Sequence, residues 1–477
     1  MTTTTTPIAA KSGLRAQCLP FPEVLAQSIA NIAPTLTPTV NLALVYASTG
    51  NGSWFAYVIA TIGLVFVSLN INQFARRSAS PGSLYAYTSR GLGPTFGVIT
   101  GWGLILGYLF TAMAVTSGFA NYGNVLLSLV GVQAPPILLF LICVTAAWFC
   151  AYRDIRLSTV LMLGIEASAV GVILVLAAVV LTKNSFTLDT AQLTLQGVTP
   201  SGLGLGLVLA VFSYVGFESA TALGDEAKEP LKFIPRSVVL STIISGSFFI
   251  VMSYVMVLGF QGYKTTLDKT EAPLSALSSL VGVGFLGVII SLAAMVSLFA
   301  CTLASINAGS RVLFSMSRHG IFPTSMGSAH TTNETPHIAA TVSALIVFSI
   351  PTLLALGGVK VLDIYGYTGT IATYGFLAAY ILISVAAPVY LKRESVLKPW
   401  DIAVSALAII FMMVPVVGSV YPVPAAPYNI FPYVFLVYMA IGIGWFLFLR
   451  NRSPEIVEEM ERDLEAIDLK FTELRKV

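Results

Sequence analysis

From Val24 to Ala75 the chain carries no Asp, Glu, Lys or Arg, and the same holds for 91–152, 237–263 and 402–449. Intervals this long without a charge cannot cover a soluble surface. A helix that crosses a bilayer needs about 20 apolar residues, so the longer intervals hold two crossings each, folded at a turn. Composition agrees. Charged residues are 10% of the 477, against about 25% in a typical soluble protein, and hydrophobic residues are 56% with a mean hydropathy of +0.85. A soluble chain of this length would read as about three domains; a polytopic helical membrane protein absorbs it in one unit. The net charge of +3 is too small to suggest a nucleic-acid partner. Cys18, Cys143, Cys150 and Cys301 are too few and too scattered for a disulfide framework or a metal cage, and no metal or other cofactor is expected.

Thr49-Gly50-Asn51-Gly52-Ser53 and Gln133-Ala134-Pro135-Pro136 punctuate the long intervals as Gly and Pro clusters do. The coarse spans are then 24–48, 54–75, 94–130, 134–152, 157–182, 203–223, 237–260, 281–316, 338–357, 361–390, 400–421 and 429–449, twelve in all. Spans 94–130 and 281–316 exceed what a bilayer requires, so they tilt or project beyond it. With the N-terminus inside, Lys183, Lys264, Lys269 and Lys360 fall outside and the other 21 of the 25 Lys and Arg fall inside, as positive-inside orientation requires. Both termini are therefore expected in the cytoplasm, with the chain threading the cell membrane many times.

Residues 1–22 open on a threonine run and read as a disordered cytoplasmic tail. They lack the apolar stretch beside positive charge that marks a cleaved leader. After Arg450 the chain starts a new helix at Ser453-Pro454-Glu455, a capping serine followed by proline at the first helical position. Val457, Met460, Leu464, Ile467, Phe471 and Leu474 then recur at steps of three and four. Residues 451–477 are read as an amphipathic helix that lies against the protein's own cytoplasmic face, with a coiled-coil contact to a partner chain as the alternative.

Two spans are interrupted. The first reads Ser28-Ile29-Ala30-Asn31-Ile32-Ala33-Pro34-Thr35-Leu36-Thr37-Pro38-Thr39, and its two prolines remove backbone donors and disfavour helix at the residue before each. A break is expected near Ile32 to Thr35. The sixth reads Val211-Phe212-Ser213-Tyr214-Val215-Gly216-Phe217-Glu218-Ser219-Ala220-Thr221, a glycine among aromatics followed by a carboxylate. Taken alone, each is equally a simple kink. Together they hold corresponding places if spans 1–5 and 6–10 are inverted repeats, and that pairing points to a transporter site near the bilayer midplane. The N-termini of the half-helices would present free N–H groups to an anionic group.

Ser80-Pro81-Gly82-Ser83-Leu84-Tyr85-Ala86-Tyr87, with Arg90-Gly91-Leu92-Gly93-Pro94 and Gly101-Trp102, resembles the loop after the second helix of amino acid–polyamine–organocation permeases. Phe212 to Ala220, continuing through Asp225-Glu226-Ala227-Lys228-Glu229-Pro230 to Ile234-Pro235-Arg236, is similar to the same family, as is Asn307-Ala308-Gly309-Ser310-Arg311 ending in His319-Gly320-Ile321-Phe322-Pro323. The resemblance covers residues 24 to 450. It implies the five-plus-five inverted repeat of leucine-transporter-like proteins, with ten core helices over 23–390 and two more over 391–450. It also implies carriage of amino acids or small amines, coupled to protons or by exchange. On that mapping Ala30, Asn31, Ile32, Ala33, Pro34 and Thr35 contact the substrate, Phe212 is an aromatic gate over it, and Ser213, Tyr214, Val215 and Gly216 line the site. Glu218 falls where arginine exchangers carry a glutamate tied to pH response. Two departures stand out. Ala33-Pro34-Thr35-Leu36-Thr37-Pro38 replaces the usual glycine-rich break, somewhat as in putrescine importers. Glu166 stands where several proton-coupled members carry a lysine.

An acidic residue as deep as Glu166 costs roughly 2.5–3.5 kcal/mol to insert at a helix centre. Glu166 and Glu218 are each read as a proton or cation site, against the alternative of a protonated side chain bonded to a neighbouring helix. A sodium site made by Glu166, first-helix carbonyls, Thr302 and Ser305 is the other reading, since oxygen ligands suit a hard cation. Tyr108 and Thr111 on the third span, and Tyr365, Tyr367 and Tyr374 on the tenth, face either the cavity or helix packing. Asn41, Asn70 and Asn72 read as interhelical hydrogen bonds, and His319, His330 and His337 as solvated loop residues.

An amino acid transporter is therefore the first expectation. A putrescine-like importer of the same fold is the second, and it would need acidic residues in the cavity for a diamine, where only Glu166 and Glu218 are deep enough to serve. An enzyme is not expected, because no span contains His and neither a Gly-x-Ser-x-Gly nor a His-Glu-x-x-His motif occurs. A substrate sensor would add a soluble output domain, for which the segment after Arg450 is too short. No nucleotide-binding loop is present, so energy should come from ion gradients.

Overall fold

The structure is a computed structural model that describes residues 12–463 apart from Asp154, Glu271 and Glu459, without the side chains of 155–163 and 165. It is 78% helical with no strand among the described residues. In chain order the helices are α1 (Phe21–Ile32), α2 (Leu42–Thr49), α3 (Ser53–Ala75), α4 (Leu84–Leu92), α5 (Pro94–Ser128), α6 (Pro136–Arg153), α7 (Ile155–Lys183) and α8 (Thr190–Leu193). They continue as α9 (Pro200–Phe212), α10 (Pro230–Phe260), α11 (Pro273–Leu280), α12 (Phe285–Arg318), α13 (His337–Leu356), α14 (Val361–Arg393), α15 (Pro399–Gly418) and α16 (Phe431–Arg452).

Among the described residues, ten stretches are long and apolar enough to cross a membrane. One of them is the 55-residue run Phe21–Ala75, which turns at the 3-10 segment Gly50–Gly52. Helix α9 is apolar but only 13 residues long. Proline sets several starts: α5, α6, α9, α10, α11 and α15 each open on one, where its missing N–H would have no helical partner anyway. Thr199 caps α9 by accepting the Gly202 N–H at 3.1 Å.

Helix α5 is the central post, packed along α14 and α12, while α10 lies along α3. Small residues let α5 and α14 touch backbone to backbone: a Cβ on Gly375 would collide with the Gly103 carbonyl oxygen. This tight pairing fixes the rotation of α5 and α14, and so fixes which of their tyrosines face inward.

Both expected interruptions are present. Helix α1 ends at Ala33, whose φ of 47° is left-handed, and the chain resumes as a π-helical turn over Thr37–Asn41 that leads into α2. Helix α9 ends at Phe212, Gly216 takes a φ of +94°, and a 3-10 turn follows over Ser219–Leu223. The positive φ of Gly216 is a conformation that only glycine adopts without strain.

At one end of the bundle the three sequence blocks meet. Ser83 bonds Thr221 at 2.5 Å, Tyr85 OH bonds His319 Nδ1 at 2.6 Å, and Arg311 Nε donates to Glu226 Oε1 at 2.8 Å. The described part of the N-terminal tail is not loose. Gln17 N–H donates to the Asp225 carbonyl and Leu19 N–H to that of Glu226, while Lys228 N–H returns to Leu19, and Leu14 and Leu19 are buried. The tail segment is thus stitched to the connection between the second break and α10.

The segment after α16 folds back over the same end. Ile456 packs on Gly320, Met460 is fully buried, and Asp463 pairs with His319 Nε2 at 3.1 Å. The His319 ring holds the Asp463 carboxyl below the usual carboxylate range. His319 is therefore a buried bridge between α4 and the tail, not a solvated loop residue. Leu464, Ile467, Phe471 and Leu474 lie outside the described residues.

Candidate functional site

The two interrupted segments lie side by side and run in opposite directions. Ser219 Oγ donates to the Gln27 carbonyl at 3.1 Å, and Ser28 Oγ donates to the Phe217 carbonyl at 2.7 Å while accepting the Ala220 N–H at 3.2 Å. Asn31 lies against Gly216. Further along, Asn41 Nδ2 donates to Ser213 Oγ at 3.1 Å. Ser28 thereby satisfies backbone groups that the second break sets free, as burial away from water demands.

Glu166 closes the first break from α7. Its Oε1 accepts the Thr35 N–H at 3.0 Å and the Thr35 hydroxyl at 2.7 Å, and its Oε2 accepts from Ser297 of α12 at 2.5 Å. Glu166, Thr35 and Ser297 are all buried. The second carboxylate is held as fully. Tyr108 of α5 donates to Glu218 Oε1 at 2.7 Å and Tyr380 of α14 donates to Oε2 at 2.6 Å. Their rings pack together around Phe376 and Phe217, so Glu218 is pinned between the second break and two long helices.

Phe212 covers the other side. It is buried and meets Tyr365 edge to face, with ring centroids 6.1 Å apart, and its ring lies against Gly369. Tyr365 OH donates to Asn41 Oδ1 at 2.8 Å. Ser213 Oγ also meets Tyr57 OH at 3.1 Å. Thus α3, α14 and both interrupted segments are tied together beside the Phe212 ring. Asn41 makes the interhelical bonds expected of it, and Tyr365 is the tenth-span tyrosine that faces the breaks. Tyr367 packs on Tyr428 and Phe431, and Tyr374 on Phe435.

Ala30, Asn31, Ile32, Ala33, Pro34, Thr35, Phe212, Ser213, Val215 and Gly216 are all buried at the crossing. Two of the expected lining residues point elsewhere. The Tyr214 ring turns to the α3 and α10 side, with its hydroxyl on Thr61 at 2.6 Å and its ring 5.0 Å from that of Phe249. Thr302 faces α5 and α6, near Thr116 and Cys143, and does not join Glu166. On α12 the inward stripe is Ser297, Cys301 and Ser305, spaced by four: Ser297 meets Glu166, Cys301 Sγ donates to the Asn31 carbonyl at 3.2 Å, and Ser305 Oγ donates to Asn31 Oδ1 at 2.6 Å. That spacing is one helical face. Ser297 and Tyr380 are site residues that the sequence reading missed. The stripe of four could have indicated Ser297, whereas no local pattern singles out Tyr380.

Comparison with known sequences fits this geometry. The profile of the family described as "Amino acid permease" matches residues 23–457. The chain is 26% identical over 440 residues to the branched-chain amino acid permease BcaP of Bacillus subtilis (strain 168), covering 85% of this chain and 87% of that protein. It is 26% identical over 345 residues to the low-affinity putrescine importer PlaP of Escherichia coli (strain K12), covering 69% and 72%. It is 22% identical over 436 residues to the methylthioribose transporter of Bacillus subtilis (strain 168), covering 85% and 88%.

Proposed function

Because the chain belongs to the amino acid permease family, we propose that it carries amino acids across the cell membrane by alternating access, as a proton-coupled symporter whose substrate sits where the two interrupted segments cross. Twelve crossings follow if Phe21–Ala75 is counted as two and α9 with its 3-10 continuation as one more. The antiparallel course of the two interrupted segments is what an inverted repeat of spans 1–5 and 6–10 requires. Both termini then lie in the cytoplasm.

The observation that carries the substrate class is the state of the two deep carboxylates. A diamine needs an anionic partner for each ammonium. Glu166 accepts three hydrogen bonds and Glu218 accepts two from tyrosines, so a second ammonium at either would compete with donors already in place. Hydrogen bonds to a charged group are worth about 1.5–3 kcal/mol each, and these hold both carboxylates to the protein itself. An α-amino acid asks for no such exchange.

Coupling rests on the same atoms. Each proton that moves on or off Glu166 exchanges an acceptor for a donor beside the Thr35 N–H, at the first residue after the break that has one. That change loosens or tightens the hold of α7 and α12 on the moving segment. Thr302 turns away from Glu166, which leaves the sodium alternative without one of its expected ligands. Uptake by purified protein in sodium-free liposomes, with labelled leucine and separately with labelled putrescine, tests the reading. Leucine uptake that rises with an inward proton gradient supports it, and uptake of putrescine alone overturns it.

A further inference from the structure

The first break offers little backbone to an anion. Pro34 and Pro38 have no N–H, the Thr35 N–H is taken by Glu166, that of Leu36 by the Ala33 carbonyl and that of Ala33 by the Ile29 carbonyl. From Ala33 to Leu36 the backbone donors that a break would ordinarily offer a carboxylate are thus spent or missing.

Among the described residues the Thr37 hydroxyl and the Asn31 amide nitrogen are the buried side-chain donors beside it without a partner, and Asn31 is the one that lies against the second break. Asn31 is 2% exposed. Its Oδ1 is held by the Ser305 hydroxyl, and its own carbonyl accepts from Cys301 Sγ. With Oδ1 fixed on α12, the amide nitrogen must face the other way, toward Gly216, where a Cβ would collide with Nδ2. Among the described residues Nδ2 has no hydrogen-bond partner. Buried amide nitrogens are rarely left so. This one lies between the two breaks, against the residue whose φ of +94° and lack of a side chain leave room for it.

We propose that Asn31 is the specificity-determining residue of the site: its side-chain amide donates to the substrate carboxylate, in place of backbone N–H groups, and Ser305 is the positioning residue that aims it. This rests on the amino acid reading above and deepens it. The ligand class is a small α-amino acid with a free carboxylate. An amide or ester of the same amino acid would lose the charge that the amide reads. Asp at position 31 keeps the size, keeps an oxygen for the Ser305 hydroxyl, and places a second oxygen where the donor was. It would repel a carboxylate and attract an ammonium.

The test uses full-length protein in liposomes, with wild type, Asn31→Asp, Ser305→Ala and Ser305→Thr, and with labelled leucine, leucinamide as competitor and labelled putrescine. Wild type should take up leucine and ignore leucinamide. Asn31→Asp should raise the KM for leucine about tenfold or more, and the variant should become sensitive to leucinamide or putrescine. Ser305→Ala should raise KM with little change in maximal rate, and Ser305→Thr, which keeps the hydroxyl, should restore it. If wild type carries leucine but Asn31→Asp keeps the same KM and ignores the cations, the role of Asn31 is wrong and the transport reading stands. If Asn31→Asp does not fold, an unchanged KM in Ser305→Ala overturns the proposal by itself. If wild type carries only putrescine, the transport reading fails first.

Discussion

Glu166 on α7 holds both the backbone N–H and the hydroxyl of Thr35 on one carboxylate oxygen, so a side chain from an uninterrupted helix supplies the hydrogen bonding that the interrupted one cannot. Helix α12 completes the arrangement through Ser297. The first break is thereby hydrogen-bonded to a titratable group.

Glu166→Gln keeps the size but fixes the protonation state. Substrate binding should survive within a few-fold, and exchange of labelled for unlabelled leucine should continue. Stimulation by a proton gradient should vanish. Counterflow measured beside gradient-driven uptake separates the two, and a Gln variant still driven by the gradient would remove Glu166 from the coupling path.

Glu218 is pinned by Tyr108 and Tyr380. Glu218→Gln should shift the pH dependence of transport while leaving the detergent melting point nearly unchanged, because the amide oxygen still accepts from one tyrosine and the amide nitrogen donates to the hydroxyl oxygen of the other. Tyr380→Phe, which removes one donor and leaves a buried acceptor unsatisfied at about 1–3 kcal/mol, should lower the melting point. A pH profile of Glu218→Gln identical to wild type would pass the coupling role to Glu166 alone.

Phe212 packs edge to face on Tyr365 and against Gly369. Truncation in Phe212→Ala removes the ring that closes this side of the crossing. Bound labelled substrate should then escape faster, with a weaker apparent affinity, while assembly in the membrane is retained. Dilution-induced release from detergent-purified protein measures this directly.

Arg311 and Glu226 form an ion pair in which both side chains are about 2% exposed or less. Removing one member leaves a buried charge alone, typically at about 3–5 kcal/mol. Arg311→Met should destabilise the protein strongly, and Arg311→Met with Glu226→Gln should recover much of the loss. Melting points of the two single variants and the double variant give the coupling, and strict additivity would contradict the pairing.

Much of this was legible in the residues. Pro34 and Pro38 placed the first break because proline chemistry is local, and Gly216 beside Glu218 placed the second for the same reason. The long charge-free runs gave helix limits within a few residues of α3, α5 and α13. What could not be read was rotation about helix axes. Thr302 and Ser305 are both hydroxyls of the eighth span, but the stripe that meets α1 and Glu166 steps by four through Ser297, Cys301 and Ser305. Tyr214 sits inside the broken segment, yet its ring leaves for Thr61 and Phe249. Tyr380 reaches Glu218 from α14, 162 residues further along the chain, a tertiary fact with no local signature. His319 reads as a loop residue, but the returning tail buries it between Tyr85 and Asp463.

The most direct test is uptake of labelled leucine into sodium-free liposomes that contain purified protein, with and without an inward proton gradient, beside a parallel series with putrescine. Leucine accumulation that requires the gradient, is lost in Glu166→Gln and is unaffected by putrescine is the result predicted here. Accumulation of putrescine without leucine, or leucine uptake indifferent to the gradient in wild type, would contradict the account.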